Sequence, residues 1–377
     1  MRQIEGCFLL DNIISAELEH ALSTTKVSII GNTYASEIAT ANLIGLGIKD
    51  ITVFGERKSP RIFQNPSAFY SNLVSDLNYY ESNNEDEVQE FDPDIILNFS
   101  GEARSFQCNT IHVYQYKDRG EVVHNAVERK DKIVDSIHIG GVCAALAVDE
   151  LRKLRAPLSP LDTITEKISY IASYEQKPRN VLAIGSGGIG NYFLLNATDK
   201  KHTITLVDHD IFEKKNNHRQ PFSKPGMKKA NRLAECLPYI HPITERFDDA
   251  LMSKFDEKKY CPDIVVGCVD NVETRIKIFE YANKRNIPYI DGGVGYTRGQ
   301  VQLYNLVPQG KDAPKKSFSC AHIVNPSIVI PNCIIGLHLA TIINHVLDKK
   351  NYSFHFDSMM TSRVRDAQYF FDNVDES

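Results

Sequence analysis

The chain has 377 residues, enough for two domains of ordinary size, and 42% of them are hydrophobic and 24% charged. Its formal net charge of −5 gives no general attraction to nucleic acid or to an anionic membrane surface. No apolar run approaches the roughly 18 residues of a membrane-spanning helix, and the first residues lack the basic-then-apolar pattern of a signal peptide. We therefore expect a globular protein with neither nucleic acid nor membrane as a partner.

The eight cysteines are dispersed and form no Cys-x-x-Cys pair. Zinc sites with ordinary ligand spacing use such pairs, so no zinc is expected. Dispersed cysteines in a chain of this length are typical of reduced thiols, which favours a cytoplasmic protein.

A first repeat is predicted over residues 1–155. VSIIG at 27–31 predicts a strand followed by a glycine, and residues 41–56 complete a helix and a second strand. FDPDIILNFSG at 91–101 predicts another buried strand. Residues 140–154 predict a helix that begins at glycine and closes the repeat.

The turn after the first strand reads GNTYAS and retains only Gly31. A phosphate needs close backbone approach and free N–H groups at a helix start, and the side chains of Thr33 and Tyr34 would obstruct that approach. The first repeat is therefore expected to be a degenerate nucleotide site with a structural or substrate-binding role.

Residues 156–177, bounded by prolines, are predicted to link this repeat to a second one at 178–377. NVLAIGSGGIGNYF at 180–193 predicts a strand, a glycine-rich turn and a helix. HTITLVDHD at 202–210 predicts the next strand, which ends in acids, so the segment is a βαβ unit of a parallel sheet.

Two further landmarks of the first repeat recur downstream in the same order. YCPDIVVGCVDN at 260–271 resembles the strand at 91–101, and residues 336–350 resemble the closing helix at 140–154. The pattern indicates a duplication. The expected fold is α/β, with two tandem doubly wound (Rossmann-like) domains of which the first is a degenerate repeat of the second.

The second repeat keeps its glycine turn, with Gly185, Gly187, Gly188 and Gly190. Such a turn fits an NAD-binding domain as well as an ATP-binding one. Asp208, at the end of the next strand, is placed to hold ribose hydroxyls in either case.

LVDHDIFEKKNNHRQ at 206–220 resembles the signature of the ThiF/MoeB and ubiquitin-activating family, in which two acids precede Asn-x-x-Arg-Gln. The matching residues are Asp208, Asp210, Asn216, Arg219 and Gln220. A fixed guanidinium beside the phosphates of ATP neutralises charge that develops during transfer, and an adjacent amide can orient phosphate oxygens.

The resemblance extends to a lysine and a metal ligand. The family places a phosphate-binding lysine in a Gly-x-x-Lys context, which Gly226 to Lys229 match, with Lys228 as the alternative. VVGCVDNVETR at 265–275 resembles the family's Asp-Asn pair, so Asp270 is implied as the magnesium ligand and Asn271 as its neighbour in the nucleotide site; Arg275 completes the match.

Members of this family use ATP and Mg²⁺ to adenylate a carboxylate and release pyrophosphate, and that activity is implied here over residues 178–350. Their active sites are often completed from a partner subunit by an arginine in an Arg-Gln-Ile-like context. The chain begins MRQI. Arg2 is thus implied as a fourth catalytic residue beside Arg219, Lys229 and Asp270, and a homodimer is a possibility.

Two features depart from the family pattern. Many members carry two Cys-x-x-Cys pairs that bind zinc, and this chain has none. Some members use a catalytic cysteine before the final helix, in the region where Cys320 lies. Lys315 and Lys316 would lower the pKa of that thiol, but a buried and inert cysteine is the alternative.

The residues leave the acceptor open. The short chain and the missing zinc pairs favour modification of a peptide, as in the microcin C and pantocin pathways of antibiotic biosynthesis. The alternative acceptor is a ubiquitin-like or sulfur-carrier protein. Two other classes are an NAD-dependent oxidoreductase, which leaves Asn216, Arg219 and Asp270 unexplained, and a non-catalytic scaffold, which suits only the first repeat.

Overall fold

The structure is a computed structural model that describes residues 16–57, 61–62, 76–124, 134–157, 164–165, 167–171, 177–295, 297–304, 328–347, 353–357 and 366–369. Two compact units divide the chain. One is drawn from residues 1–173, 328–330 and 357–370, and the other from 174–327, 331–356 and 371–377.

The first unit is built on an eight-stranded sheet. Its strands are β1 (Lys26–Ile30), β2 (Asp50–Phe54), β3 (Asn78–Ser82), β4 (Ile95–Asn98), β5 (Asn109–Gln115), β6 (Arg119–Val123), β7 (Lys167–Ile171) and β15 (Asp366–Tyr369). Their order is β15-β7-β6-β5-β4-β1-β2-β3. Strands β1 to β5 are parallel where they pair, and β6 runs antiparallel to both β5 and β7.

The described helices of this unit are α1 (Ala16–Ser23), α2 (Tyr34–Gly45) and α3 (Ile137–Arg155), with a 3₁₀ helix over Glu85–Phe91.

The second unit is built on a seven-stranded sheet. Its strands are β8 (Asn180–Ile184), β9 (Thr203–Val207), β10 (Ile240–Ile243), β11 (Ile264–Gly267), β12 (Tyr289–Val294), β13 (Arg298–Tyr304) and β14 (Ser353–Asp357). Their order is β10-β9-β8-β11-β12-β13-β14. The described helices are α4 (Gly188–Asp199), α5 (Lys229–Cys236), α6 (Asp249–Glu257), α7 (Val272–Lys284) and α8 (Val329–Leu347), with a 3₁₀ helix over Lys214–Asn216.

The two sheets have the same strand order, which confirms the predicted pair of Rossmann-like folds. In the first sheet, the order β3-β2-β1-β4-β5-β6-β7 corresponds strand by strand to the order β10-β9-β8-β11-β12-β13-β14 of the second. The register agrees as well, since Ile30 pairs with Asn98 and Ile184 pairs with Gly267. In each unit the central strand is flanked by two parallel neighbours, and its carboxyl end leads into a glycine turn.

Several predicted boundaries differ from the structure. The stretch predicted as a linker contains β7, whose Ile168 and Tyr170 are buried and which pairs with β6. The final strand, β15, joins the first unit, although the whole of 178–377 was predicted to form the second domain.

The two closing helices begin before the glycines at which they were predicted to start. Helix α3 begins at Ile137 because the hydroxyl of Ser136 accepts a hydrogen bond from Ile139 N at 3.1 Å. Helix α8 begins at Val329.

The central strands are buried on both faces, so they are mostly apolar rather than alternating. Val181 to Ile184 of β8 are at most 2% exposed. The helix α8 is also strongly apolar, but none of the described helices is long and apolar enough to cross a membrane.

Candidate nucleotide site

In the second unit, the carboxyl ends of β8, β9 and β11 border a cleft of about 610 Å³. Open parallel sheets bind ligands at this edge, where the strand order reverses on either side of the central strand. The structure brings nearly all of the predicted site residues together here. Those lining the cleft are Gly185, Gly187, Gly188, Asp208, Asp210, Asn216, Arg219, Gln220, Lys229, Asp270 and Asn271.

The glycine turn owes its shape to close packing. Gly185 has a φ of +90°, and a Cβ there would lie 2.8 Å from the carbonyl oxygen of Cys268. Gly190 does not line the cleft. A Cβ at Gly190 would lie 2.6 Å from the oxygen of Gly185, so this glycine lets the first turn of α4 pack against the loop.

Gly187 has a different role, because nothing lies within 4 Å of the position its Cβ would take. It is the N-cap of α4, and no side chain caps this helix end. The first backbone N–H groups of the helix are thus not taken by a cap, and the positive end of the helix dipole adds to their attraction for an anion. A phosphate fits this arrangement.

The corresponding turn of the first unit is closed by its own side chains. Thr33 and Ser36 form a reciprocal capping box at the start of α2, and Tyr34 N donates to the Asp135 carboxylate at 3.2 Å. Gly31 keeps a φ of +92° because a Cβ would lie 2.8 Å from the backbone of Phe99. The turn has kept its backbone shape, while the N–H groups of Thr33, Tyr34 and Ser36 already have acceptors.

Asp208 follows β9 and holds two loops at the cleft. Its Oδ2 accepts from Ser186 N at 2.7 Å and from Ser186 Oγ at 2.6 Å, and its Oδ1 accepts from Asp210 N at 2.8 Å. The residue is 7% exposed. It therefore fixes the glycine turn against the loop that follows β9.

The two candidate lysines have different positions and partners in the structure. Lys229 lines the cleft and is paired with Asp210 at 3.1 Å. Lys228 lies just before α5 and donates to the carbonyl of His209 at 2.6 Å. The geometry favours Lys229 as the lysine that meets a phosphate in the cleft.

The loop between β9 and α5 brings Asn216, Arg219 and Gln220 to the cleft. Asn216 Oδ1 accepts from Glu213 N at 2.8 Å, which fixes the short 3₁₀ turn. Gln220 is 2% exposed and its Oε1 accepts no hydrogen bond among the described residues. Burial lowers the pKa of His218 to about 3, with help from Arg219, so the imidazole is neutral beside that guanidinium.

Asp270 and Asn271 follow β11. Asp270 is exposed and lines the cleft, whereas Asn271 caps α7 by accepting from Thr274 N at 2.8 Å. The residue at the Asp270 position in the first unit is Gly101, because Asn98 and Gly267 occupy equivalent positions beside the central strands.

A buried ion pair holds the Asp270 loop from beneath. Arg275 binds the carboxylate of Asp291, the Val269 carbonyl at 2.7 Å and the Gly292 carbonyl at 3.1 Å. Burial raises the pKa of Asp291 to about 6, although Arg275 and a hydrogen bond from Tyr289 oppose the shift. Arg275 thus connects the end of β11 to β12.

A magnesium ion fits the donors at this edge. Mg²⁺ needs oxygen ligands, prefers one or two carboxylates and takes the rest from phosphates and water, and the exposed Asp270 offers one carboxylate. Asp208, His209 and Asp210 also bring ligand atoms within 4.8 Å of one another, but Lys229 already neutralises Asp210. The family resemblance implies Asp270 as the ligand of the ion, and this residue lines the cleft.

Two predicted residues, Arg2 and Cys320, lie outside the described residues. Sequence reasoning missed others: Ser186, which binds Asp208, and Asn191 and Asp291. Ser186 stands inside the glycine motif, but at a position where the motif specifies no residue type. Asn191 and Asp291 act through contacts with residues distant in sequence, which no local pattern reveals.

Comparison with known proteins adds the family context. The sequence profile of the ThiF family matches residues 175–369. A molybdopterin-synthase adenylyltransferase of Haemophilus influenzae is 27% identical over 194 residues, covering 46% of this chain and 78% of that protein. A ubiquitin-like modifier-activating enzyme 5 of Culex quinquefasciatus is 26% identical over 177 residues, which is 41% of this chain and 43% of that protein.

A third relative is the adenylyltransferase and sulfurtransferase UBA4 of Eremothecium gossypii. It is 29% identical over 138 residues, covering 34% of this chain and 31% of that protein. The matched region thus makes up most of the bacterial relative and less than half of each eukaryotic one.

Proposed function

The chain belongs to the ThiF family, and from this premise we propose that it is an adenylyltransferase that joins AMP to the C-terminal carboxylate of a small protein. The acceptor is of the ubiquitin-like or sulfur-carrier type. ATP is the second substrate, and Mg²⁺ is the metal that the reaction uses.

One observation carries the proposal: a single cleft combines an uncapped helix start with cations and an exposed carboxylate. Gly187 opens α4 without a side-chain cap, and Arg219, Lys229 and Asp270 line the same cleft. A dinucleotide needs the glycine turn and Asp208 alone. A triphosphate, with its higher charge, accounts for the cations and for the place of a metal.

The reaction balances with these groups. A carboxylate oxygen of the acceptor attacks the α-phosphorus of ATP, a new C–O–P linkage forms, and the bond to the bridging oxygen of the β-phosphate breaks. Pyrophosphate leaves with that electron pair. Arg219 and Lys229 offset the negative charge that builds up on the phosphates, and the N-terminus of α4 adds its dipole.

Asp270 would hold the magnesium ion, with Asn271 beside it fixing the loop as the cap of α7. When bound, the ion neutralises phosphate charge and orients the leaving pyrophosphate. The protein's own part is to fix the Asp270 loop, which Arg275 does through its bond to the Val269 carbonyl.

The names of the relatives support a small-protein acceptor. A molybdopterin-synthase adenylyltransferase and a ubiquitin-like modifier-activating enzyme act on proteins by their printed names, and neither name refers to a peptide antibiotic. Maturation of a peptide natural product, which the sequence favoured, has no support in these comparisons. The small-protein acceptor therefore takes its place.

The test is to incubate the purified chain with ATP, Mg²⁺ and a panel of small proteins with flexible C-termini, beside short peptides. We expect release of AMP or pyrophosphate and a transient acyl-adenylate on a small protein, seen by mass spectrometry. Adenylation of the peptides but of none of the small proteins would show that the acceptor is a peptide. Thermal stabilisation by NAD with none by ATP would overturn the adenylyltransferase itself.

A further inference from the structure

The carboxylate of Asp208 is almost fully used within the protein. A carboxylate has two oxygens and about four acceptor positions. Oδ2 accepts two hydrogen bonds, from the backbone N–H and from the hydroxyl of Ser186, at 2.7 and 2.6 Å. Oδ1 accepts one, from Asp210 N at 2.8 Å. One acceptor position is left, and it is on Oδ1.

A ribose presents two vicinal hydroxyls, and an acid at the end of the second strand of a doubly wound sheet is placed to accept from them. A carboxylate with both oxygens open can accept from both hydroxyls at once. Here Oδ2 is filled, so the second hydroxyl has no acceptor on this side chain. The side-chain hydroxyl of Ser186 is the group that fills it.

We infer that Ser186 is a specificity-determining residue of the nucleotide site, because it limits Asp208 to a single hydrogen bond with ribose. The inference rests on the proposed use of ATP and deepens it. It concerns recognition of the ribose rather than of the phosphates.

The hydroxyl of Ser186 is held in place by its surroundings. The residue is fully buried, so water does not compete for its Oγ. Asn191 Nδ2 donates to the carbonyls of Ser186 at 2.8 Å and of Gly187 at 3.0 Å, and Asn191 Oδ1 accepts from Phe222 N. The turn is thus fixed through α4, and the backbone of Ser186, which sets the position of its side chain, cannot move away from Asp208 without breaking several buried bonds.

The test compares the binding of ATP, 2′-deoxyATP and 3′-deoxyATP to the full chain by calorimetry. For the wild type we expect one analogue to bind within about twofold of ATP and the other about tenfold more weakly, since a hydrogen bond to a charged group is lost only in the second. The two analogues thereby show which hydroxyl meets Oδ1.

In Ser186→Ala the backbone N–H still reaches Oδ2, but one acceptor position opens. The analogue that the wild type tolerates should then bind about fivefold or more weakly than ATP, because the second hydroxyl now contributes. Ser223→Ala is the matched control. Ser223 is also buried and its hydroxyl binds Asn217 Oδ1 at 2.8 Å outside the cleft, so this variant should keep the wild-type ratios.

Equal weakening of both analogues in the wild type, or no weakening of either, overturns the inference and leaves the adenylyltransferase standing. So does a Ser186→Ala protein, folded by its melting curve, with wild-type ratios. A wild-type chain that binds no ATP overturns the proposed function and this inference with it.

Discussion

Asp270 is exposed, so its substitution should separate catalysis from folding. We expect Asp270→Asn to lower magnesium-dependent pyrophosphate exchange by about 100-fold or more, because the carboxylate that holds the ion is lost. The melting temperature should stay within about two degrees, as is usual for surface substitutions. Asp249→Asn, an exposed acid outside the cleft, is the control. Normal exchange in Asp270→Asn would show that the metal binds elsewhere.

Arg219 should matter more for turnover than for ATP binding. Its guanidinium is expected to act where charge develops, so Arg219→Ala should lower kcat about 100-fold while the Kd for ATP rises less than about fivefold. Arg219→Lys keeps the charge but lacks the planar fork, so its kcat should lie between those of the wild type and Arg219→Ala. An unchanged kcat with a large loss of ATP affinity would instead assign the arginine to ground-state binding.

The buried imidazole of His218 should make the stability of the protein depend on pH. Burial lowers its pKa to about 3, against about 6.5 for an unfolded histidine, so the folded state resists the proton. Its contribution to stability is complete above pH 6.5 and falls as the pH drops toward 3. Denaturation at pH 7 and pH 4.5 should show that the wild type loses about 2 kcal/mol more than His218→Gln. Equal losses in the two proteins would mean that the imidazole is hydrated.

At the scale of elements, the two equivalent helix starts should respond in opposite ways. Gly187→Ala places a methyl group in open space at the start of α4, so stability should hold while ATP binding falls at least about tenfold. Thr33→Ala removes the cap of α2 and should cost about 1 kcal/mol of stability with ATP binding unchanged. Thermal melts and calorimetry on both variants check this. An ATP affinity that falls in Thr33→Ala would place the nucleotide in the first unit.

The strands that border the cleft could be predicted because they are short apolar runs that end in polar or glycine residues. Val181 to Ile184 and the Pro-Asp entry at 262–263 are local signals, and they position Gly185 and Asp270 without further information. The strand β7 could not be found in this way. Its five residues alternate, but the prolines on both sides are typical of a linker. Only the pairing of β7 with β6 and β15 makes it a strand.

The cap of α2 shows a second limit. Thr33 and Ser36 have the residue types of a helix start, but the Asp135 carboxylate that takes the N–H of Tyr34 is 101 residues away. The sequence predicted a blocked turn from the size of Thr33 and Tyr34. The structure adds a chemical reason, since the N–H groups of Thr33, Tyr34 and Ser36 already have acceptors.

On the scale of the whole chain, duplication was visible because equivalent strands carry similar entries, such as the Pro-Asp pairs before β4 and β11. The return of β15 to the first sheet was not visible. Its four residues, Asp366–Tyr369, carry no pattern that distinguishes one sheet from the other, and pairing with Lys167–Tyr170 is a long-range contact. Domain order could be predicted from the repeats, but the path of the chain end could not.

We expect a single nucleotide site, which lies in the second unit. Both units keep the glycine with positive φ after the central strand, at Gly31 and Gly185. Among the described residues, the helix that follows the central strand has a side-chain cap in the first unit and none in the second. Asp270 of the second unit stands at the position that Gly101 takes in the first. We expect one ATP per chain.

The most direct test is acceptor-dependent exchange of labelled pyrophosphate into ATP. The acceptor is used in two forms, one with a free C-terminal carboxylate and one with that carboxylate amidated. The account predicts magnesium-dependent exchange with the free carboxylate and none with the amide, because only an acyl-adenylate regenerates ATP from pyrophosphate. Equal exchange with both forms, or consumption of ATP to ADP and phosphate without exchange, would contradict it.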